Sequence, residues 1–441
     1  MKKIKTEIWI FVITFIILAL FTKTYVGSGN VGSRFATIES LVERGTFVID
    51  DSTFFGNAKT YPIVGEKPVM RKNNYEAING TNDKVLINGH FYSDKPVVLP
   101  FLASGPYWVL NNLGINFRNH GGLATYLLTL FTVGIAVSFL AMFFYKFSKK
   151  NKINDKNSLI LTFSLIFATL IFPFSVTFNN HIIAACFIFI SFYLLMYGNK
   201  NWHYYIAGLL ASLATVIDLV SGGIFMVGYL LYPIFKKKYV NSIFYLLGLI
   251  IPLLLHAVLT IPITGDILPG SMHAEYWQYP GSGFDETSLT GVAKQGSSVN
   301  VLVYSFHSLL GYRGLFLYTP LLALSIFLAL KNINKNFKIE SILILISCGL
   351  IISYYMLFSD NYGGWSYGIR WFVSFIPMLF LFNVYVFKEN NYKLVKIFYI
   401  LSVISLGFSI IGVYQPWTDM WYSQIPFINN LREIVQNLLH K

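Results

Sequence analysis

Apolar stretches of roughly 17–25 residues recur through this chain, near 7–23, 122–146, 158–177, 181–198, 204–221, 223–235, 241–262, 314–330, 339–358, 369–387 and 394–415. That is the length an α-helix needs to cross the hydrocarbon of a bilayer. The stretch 223–235 is short and fits a tilted or broken helix. Charged residues make up only 12% of the chain, against about 25% in soluble domains. The fold class expected is an all-α polytopic membrane protein of about eleven transmembrane helices.

A formal net charge of +13 could suggest nucleic acid. Most of the lysines and arginines, however, sit in short clusters between the apolar runs: Lys2/Lys3/Lys5, Lys146 to Lys156, Lys200, Lys236/Lys237/Lys238, Lys331/Lys335/Lys338 and Lys388/Lys393/Lys396. If all eleven runs cross, every cluster falls on one side, which is then the cytoplasm. The expectation is a multi-pass protein of the cell membrane with a cytoplasmic N-terminus, an outer C-terminus and no nucleic-acid partner. The opening MKKIKTEIWIFVITFIILALF lacks a small-residue cleavage site and reads as an uncleaved anchor. Cys186 and Cys348 lie inside apolar runs without metal or redox spacing and read as packing residues.

On this topology two large loops, 24–121 and 263–313, share the outer face with a short one, SDNYGGWSYGIRW (359–371). Residues 1–415 form an integral membrane domain, and 416–441 a short amphipathic outer tail. In the first loop, SRFATIESLVERG (33–45) reads as an amphipathic helix with Ser33 at the N-cap and Gly45 at the stop. Residues 96–110 are apolar but too short to span, which suits an interfacial helix.

NGHFYSDKPVVLPFLASGPYW (88–108) brings His90, Tyr92, Ser93, Asp94 and Lys95 together. Pro96 fits a first helical turn, and Lys95 would then stand at a helix N-terminus, a combination that can bind phosphate. Asp94 could act as a base or hold a metal; equally, Asp94 could be an N-cap and Lys95 an interfacial lysine. His90 and Asp94 could hold a divalent ion together, although their spacing is a ligand spacing only on a helix. Arg370 begins a span in GGWSYGIRW, where the glycines permit close backbone approach and Trp365 could stack on a sugar. Arg313 could bind phosphate or anchor a helix end. Asp218, near the outer end of a span, is a functional candidate or a cap for the next helix. His181 lies at the same boundary and could be structural. HAEYWQYPGSGFDETS (273–288) offers aromatics and acids for an acceptor lid or for interfacial anchoring.

The pattern SRFATIESLVERGTFVID followed by DKVLINGHFYSDKPVVLPFL resembles the first outer loop of GT-C-fold glycosyltransferases, in particular the protein O-mannosyltransferase and lipid A aminoarabinose transferase superfamily. GYRGLFLYTPLLAL (311–324) and NYGGWSYGIRWFVSFIPMLFL (361–381) resemble later segments of the same superfamily. The resemblance implies a polyprenyl-phosphate-linked sugar donor, a protein, lipid or glycan acceptor, and inverting transfer assisted by a carboxylate base. Arg34 and Asp94-Lys95-Pro96 match the superfamily motifs, with Lys95 at the position that contacts carrier phosphate and Asp94 at one that binds metal in some relatives.

The acid expected three residues before Arg34 is replaced by Val31. Asp50 and Asp51 are the nearest substitutes, with Asp83 third. The candidate catalytic residues are therefore Asp94, Asp50 and Asp51, and the candidate substrate-binding residues are Lys95, Arg34, His90, Tyr92, Arg370 and Trp365. No cofactor is indicated, though a divalent metal could serve. Two other classes compete: a transporter or flippase of a lipid-linked sugar, which would place polar groups and repeats at the midplane, and a non-catalytic relative that binds the carrier lipid.

Overall fold

The computed structural model describes residues 5–55, 80–280, 282, 300–334, 338–359, 361–389, 391–418 and 425–439. The second half of the expected acceptor lid, 283–288, and Lys2, Lys3 and Lys335 lie outside them. The chain is about 75% helical, and each of the eleven apolar runs is helical over most of its length. In order the helices are α1 (Thr6–Phe21), α2 (Gly29–Arg44), α3 (Val98–Asn112), α4 (Phe117–Lys150), α5 (Asp155–Phe167), α6 (Asn180–Tyr197), α7 (Asn201–Ile217), α8 (Leu219–Phe235), α9 (Tyr239–Thr264), α10 (Val301–Leu309), α11 (Leu321–Lys331), α12 (Lys338–Phe358), α13 (Arg370–Lys388), α14 (Tyr392–Tyr414) and α15 (Pro426–Leu439).

Among the described residues six helices, α4, α6, α9, α12, α13 and α14, are long and apolar enough to cross a membrane. Of the other five apolar runs, the first gives an unbroken helix of 16 residues, and four give shorter helices because they break. Turns at Ile171–Ser175 and Leu315–Tyr318 stand apart from α5 and α11, and α7 and α8 abut at Asp218. The helices take unequal places in the bundle. In α13 89% of the most apolar stretch is buried, against 22% in α14, so α13 runs through the core while α14 flanks it. On α9 the exposed flank is Val240, Ile243, Leu247, Ile250, Leu254, Val258 and Ile261. An apolar band of that extent is a liability in water and suits a lipid surround.

Small residues set the closest helix contact. A Cβ added to Gly208 of α7 would lie 2.0 Å from the Tyr245 carbonyl oxygen of α9, and one on Gly248 of α9 would lie 2.0 Å from the Tyr205 carbonyl oxygen of α7. The two backbones therefore touch at reciprocal glycines, as packing between membrane helices favours. Gly208→Leu should lower the thermal unfolding midpoint in detergent by the equivalent of about 1–3 kcal/mol. Gly349→Leu, at a position with nothing within 4 Å, should leave it unchanged.

The structure differs from the sequence expectation at two points here. The helix expected at 33–45 starts four residues earlier, with Ser28 and not Ser33 capping it, while Gly45 ends it at φ 67° as expected. The first outer loop is not wholly helical: β1 (Lys84–Ile87) and β2 (His90–Ser93) form an antiparallel hairpin. Its two-residue turn, Asn88-Gly89, has φ of 51° and 84°, both positive as the tight hairpin turn requires. The chain ahead of α15 is tied to the bundle. Ser366 bridges Trp417, and the Trp417 indole donates to Thr177 Oγ1 at 2.9 Å.

Candidate functional site

At one end of the bundle a cavity of about 380 Å³ lies beneath the first and second large loops. Residues from distant parts of the chain line it, among them Arg34, Asp83, Asp94, Lys95, Asp218 and Arg370. The hairpin register explains part of this convergence. Lys84 pairs with Ser93, so Asp83 and Asp94 face each other at the hairpin's open end. Lys95 bridges them, with its Nζ 3.0 Å from Asp83 Oδ2 and in closer contact with Asp94 Oδ2.

Both sides of the hairpin are tied to α2. Thr81 donates to the Gly29 carbonyl at 2.7 Å and accepts from the Asp83 N–H at 3.1 Å. Ser33, buried inside α2, contacts Ser93 Oγ at 2.6 Å and donates to Asp94 Oδ1 at 3.2 Å. The Asp94 carbonyl accepts from the Ser271 N–H at 3.2 Å, which docks the second loop.

The two carboxyls are driven apart. Burial raises Asp94, and although Lys95 pulls it back, the neighbouring Asp83 charge leaves it above the ordinary carboxylate range. Burial would raise Asp83 too, but the Lys95 charge and hydrogen bond, with Arg370 and Arg34, hold it below that range. Asp83 is thus the more acidic of the two, and its side chain is also the more open, at 20% exposure against 1%.

Two arginines complete the cationic side. Arg34 donates to the Asn30 carbonyl at 2.9 Å and to Asn180 Oδ1 at 3.0 Å, and also contacts the Asn30 side chain. Burial, followed by the charge of Arg370, pushes it down to about 10, so it stays protonated at neutral pH. The Arg370 side chain makes no hydrogen bond to the described residues, and its Nε is shut off from solvent. It stacks under Trp417 at 5.3 Å and passes Gly363, where a Cβ would come within 2.9 Å of its Cγ. A guanidinium held by ring and backbone contacts keeps its donors for a ligand. Trp365, 36% exposed, sits at the rim.

His181 and Asp218 form a further pair, Nδ1 to Oδ2 at 2.7 Å. Asp218 precedes α8 but its side chain makes no cap hydrogen bond, so the capping alternative is set aside. The His181 Nε2 has no hydrogen-bond partner among the described residues, and the ring lines the cavity. An imidazole fixed at Nδ1 by a carboxylate can accept or donate a proton at Nε2.

Other expected site residues lie elsewhere. Asp50 accepts from the Phe91 N–H at 2.7 Å and meets His90 Nδ1 at 2.9 Å, at the hairpin's turn end. At about 3.4 Å per strand residue, the four steps from His90 to Asp94 put that pair roughly 14 Å from the open end. His90 thus partners Asp50 and not Asp94, and the metal pairing of His90 with Asp94 does not form. Among the described residues no group of three metal-type ligands assembles. Asp51 is exposed in a turn, and Tyr92 packs on Val85, Ile87 and Trp277. Arg313 is fully buried and outside the lining. Pro96 precedes the Val97 cap of α3; Lys95 and Pro96 line the cavity, whereas the first helical residues, Val98 to Pro100, are buried outside its lining. Asp83, ranked third among substitutes, was findable from the Asn-Gly turn in KVLINGHFYS, which fixes its register opposite Asp94. Trp417 carried no sequence signal.

Comparison with protein-family models, with curated proteins and with solved structures finds no match for this chain.

Proposed function

We propose that this chain is a membrane glycosyltransferase of the GT-C kind. It would move a sugar from a polyprenyl-phosphate-linked donor to a hydroxyl of a protein, lipid or glycan acceptor, with inversion. One observation carries the reading: Arg34, Lys95 and Arg370 converge on a single cavity that also holds the carboxyl group of Asp83. A leaving phosphate needs cations, an attacking hydroxyl needs a base, and the cavity offers both within one chamber.

In the reaction the acceptor oxygen bonds to the anomeric carbon as the bond from that carbon to the donor phosphate oxygen breaks. The electron pair leaves with the phosphate, which Arg370, Arg34 and Lys95 stabilise. The acceptor proton passes to Asp83. The Asp83 carboxylate lies against the first turn of α2, where a Cβ on Gly29 would meet it at 3.4 Å. It thus supplies in space the acid that the resemblance expects at position 31. The His181–Asp218 pair gives a second base in the same cavity, and its hydrogen bond is the observation that favours it.

The same reading takes the bundle as about eleven crossings, with short and broken helices completing the six long ones. The cavity would face outward and the lysine-bearing end the cytoplasm. That α6 and α13 each begin at the cavity, with His181 and Arg370, and end among the lysine clusters, at Tyr197 and Lys388, supports this orientation.

Mass spectrometry of lipids retained in mild detergent, beside a Lys95→Ala control, followed by turnover on a polyprenyl-phosphate sugar, tests the reading. Carrier lipid lost in the variant together with sugar transfer is the expected result. Carrier binding without transfer would leave a binding relative, and movement of the donor across vesicles without transfer would make the chain a transporter. Asp51→Ala and Asp50→Ala should leave turnover within about twofold, since neither lines the cavity. A drop beyond a hundredfold in either would relocate the site to the hairpin's turn.

A further inference from the structure

At the far end of the bundle from the cavity, an open cleft of about 700 Å³ is bordered by Lys150, Lys152, Lys388, Asn151, Tyr197 and Phe387. The helices α6 and α13, each running from the cavity to this cleft, are 18 and 19 residues long. At about 1.5 Å per residue they separate the two by roughly 27 Å. The cleft is a different place with a different chemistry.

Its floor is a fixed joint. Asn151 is buried at 4% exposure. Its amide donates to the Phe147 carbonyl and to Tyr197 Oη, both at 2.9 Å, and its Oδ1 accepts from Lys388 Nζ at 2.7 Å. One neutral side chain therefore binds the ends of three helices and sets the position of the Lys388 ammonium. Lys152 is set by backbone. It closes the end of α4 at φ 62°, with its N–H bonded to the Lys149 carbonyl and that of Ile153 to the Ser148 carbonyl. Glycine is the residue that takes this left-handed position without strain. A lysine there projects a charge into the cleft instead.

The cations of Lys152 and Lys388 repel each other, and no carboxylate is among the described residues that line the cleft. The neighbouring acid, Asp155, is already engaged by Lys149 at 2.7 Å and by Tyr145 Oη at 2.8 Å. Three ammonium groups around one opening suit an anion with several acceptor oxygens, and the Phe387 ring and Ile153 offer apolar contact beside them.

We propose that this cleft is a binding site for a phosphate group, held between Lys150, Lys152 and Lys388 over the Asn151 joint. The group could arrive on a phospholipid, since basic pockets between membrane helices take anionic headgroups, or as free phosphate. The inference is independent of the transfer reaction.

The test uses the full chain in nanodiscs or detergent, with native mass spectrometry to follow binding of phosphatidylglycerol and, separately, inorganic phosphate. The variant is Lys152→Gly with Lys388→Gln: glycine removes the charge at a backbone position that favours it, and glutamine keeps a donor for Asn151. The control is Lys393→Ala with Lys396→Ala, which removes the same charge outside the cleft. Loss of two lysine contacts should weaken phosphatidylglycerol binding about 30-fold in the variant and hardly at all in the control. Competition by millimolar inorganic phosphate would assign the site to the free ion, and its failure would assign it to the lipid headgroup; each supports the site. Equal weakening in variant and control, or none in either, would overturn it.

Discussion

Lys95→Ala is expected to abolish donor binding and to lower turnover by about 10²–10³-fold, the scale for removing one charged group that stabilises a leaving oxyanion. The loss would have two parts. The cavity would be short of a cation for phosphate, and Asp83 and Asp94 would face each other with no ammonium between them. Removing one member of a buried ion pair costs about 3–5 kcal/mol of stability, so the single variant will also unfold more easily. A triple variant, Lys95→Ala with Asp83→Asn and Asp94→Asn, relieves the repulsion. It should recover the unfolding midpoint without recovering donor binding. Recovery of binding in the triple variant would show that Lys95 holds the carboxylates only and never the donor.

Asp83→Asn should lower turnover by about 10²–10⁴-fold while leaving donor retention nearly intact, which is the signature of losing a general base. Asp94→Asn, at a carboxyl almost wholly buried against Lys95 and Ser33, should cost far less. The pH profile supplies an independent check. A base works in its ionised form, and Lys95 with the arginines holds Asp83 below the ordinary carboxylate range. The acid limb of kcat should therefore fall below that range in the wild type. In Lys95→Ala the two carboxyls would share a proton, and the residual activity should show that limb moved upward. If Asp83→Asn keeps full turnover and His181→Gln loses it, the base is the imidazole held by Asp218.

Helical segments were legible in the sequence because each apolar run is long enough to report its own structure, and all eleven turn out helical over most of their length. The breaks at 168–170 and 319–320 were not, because they depend on local turns within continuous hydrophobicity. Arg34, Lys95, Asp94, Trp365 and Arg370, each named from a motif within one short segment, line one cavity. Asp50 and Asp51 were preferred over Asp83 because distance along the chain stood in for distance in space. A hairpin reverses that order: 11 residues separate Asp83 from Asp94, yet the register brings them opposite each other. The His181–Asp218 contact joins helices 37 positions apart, and no spacing rule connects those two residues. Gly208 and Gly248 were equally silent, since a single glycine in an apolar run says nothing of the carbonyl it will meet.

The cavity draws on residues from Ser28 to Trp417, and this has a consequence in time. A ribosome adding about 5–20 residues per second releases Arg34 tens of seconds before Trp417. For most of that interval α2, the hairpin and their cluster of opposed charges exist without the ring that stacks on Arg370. The chamber is finished only when the segment around Trp417 reaches Ser366, after every other residue that lines it has been made. A chain stopped at 414 could carry every long helix and still have no working chamber, so intermediates caught during insertion should be inert.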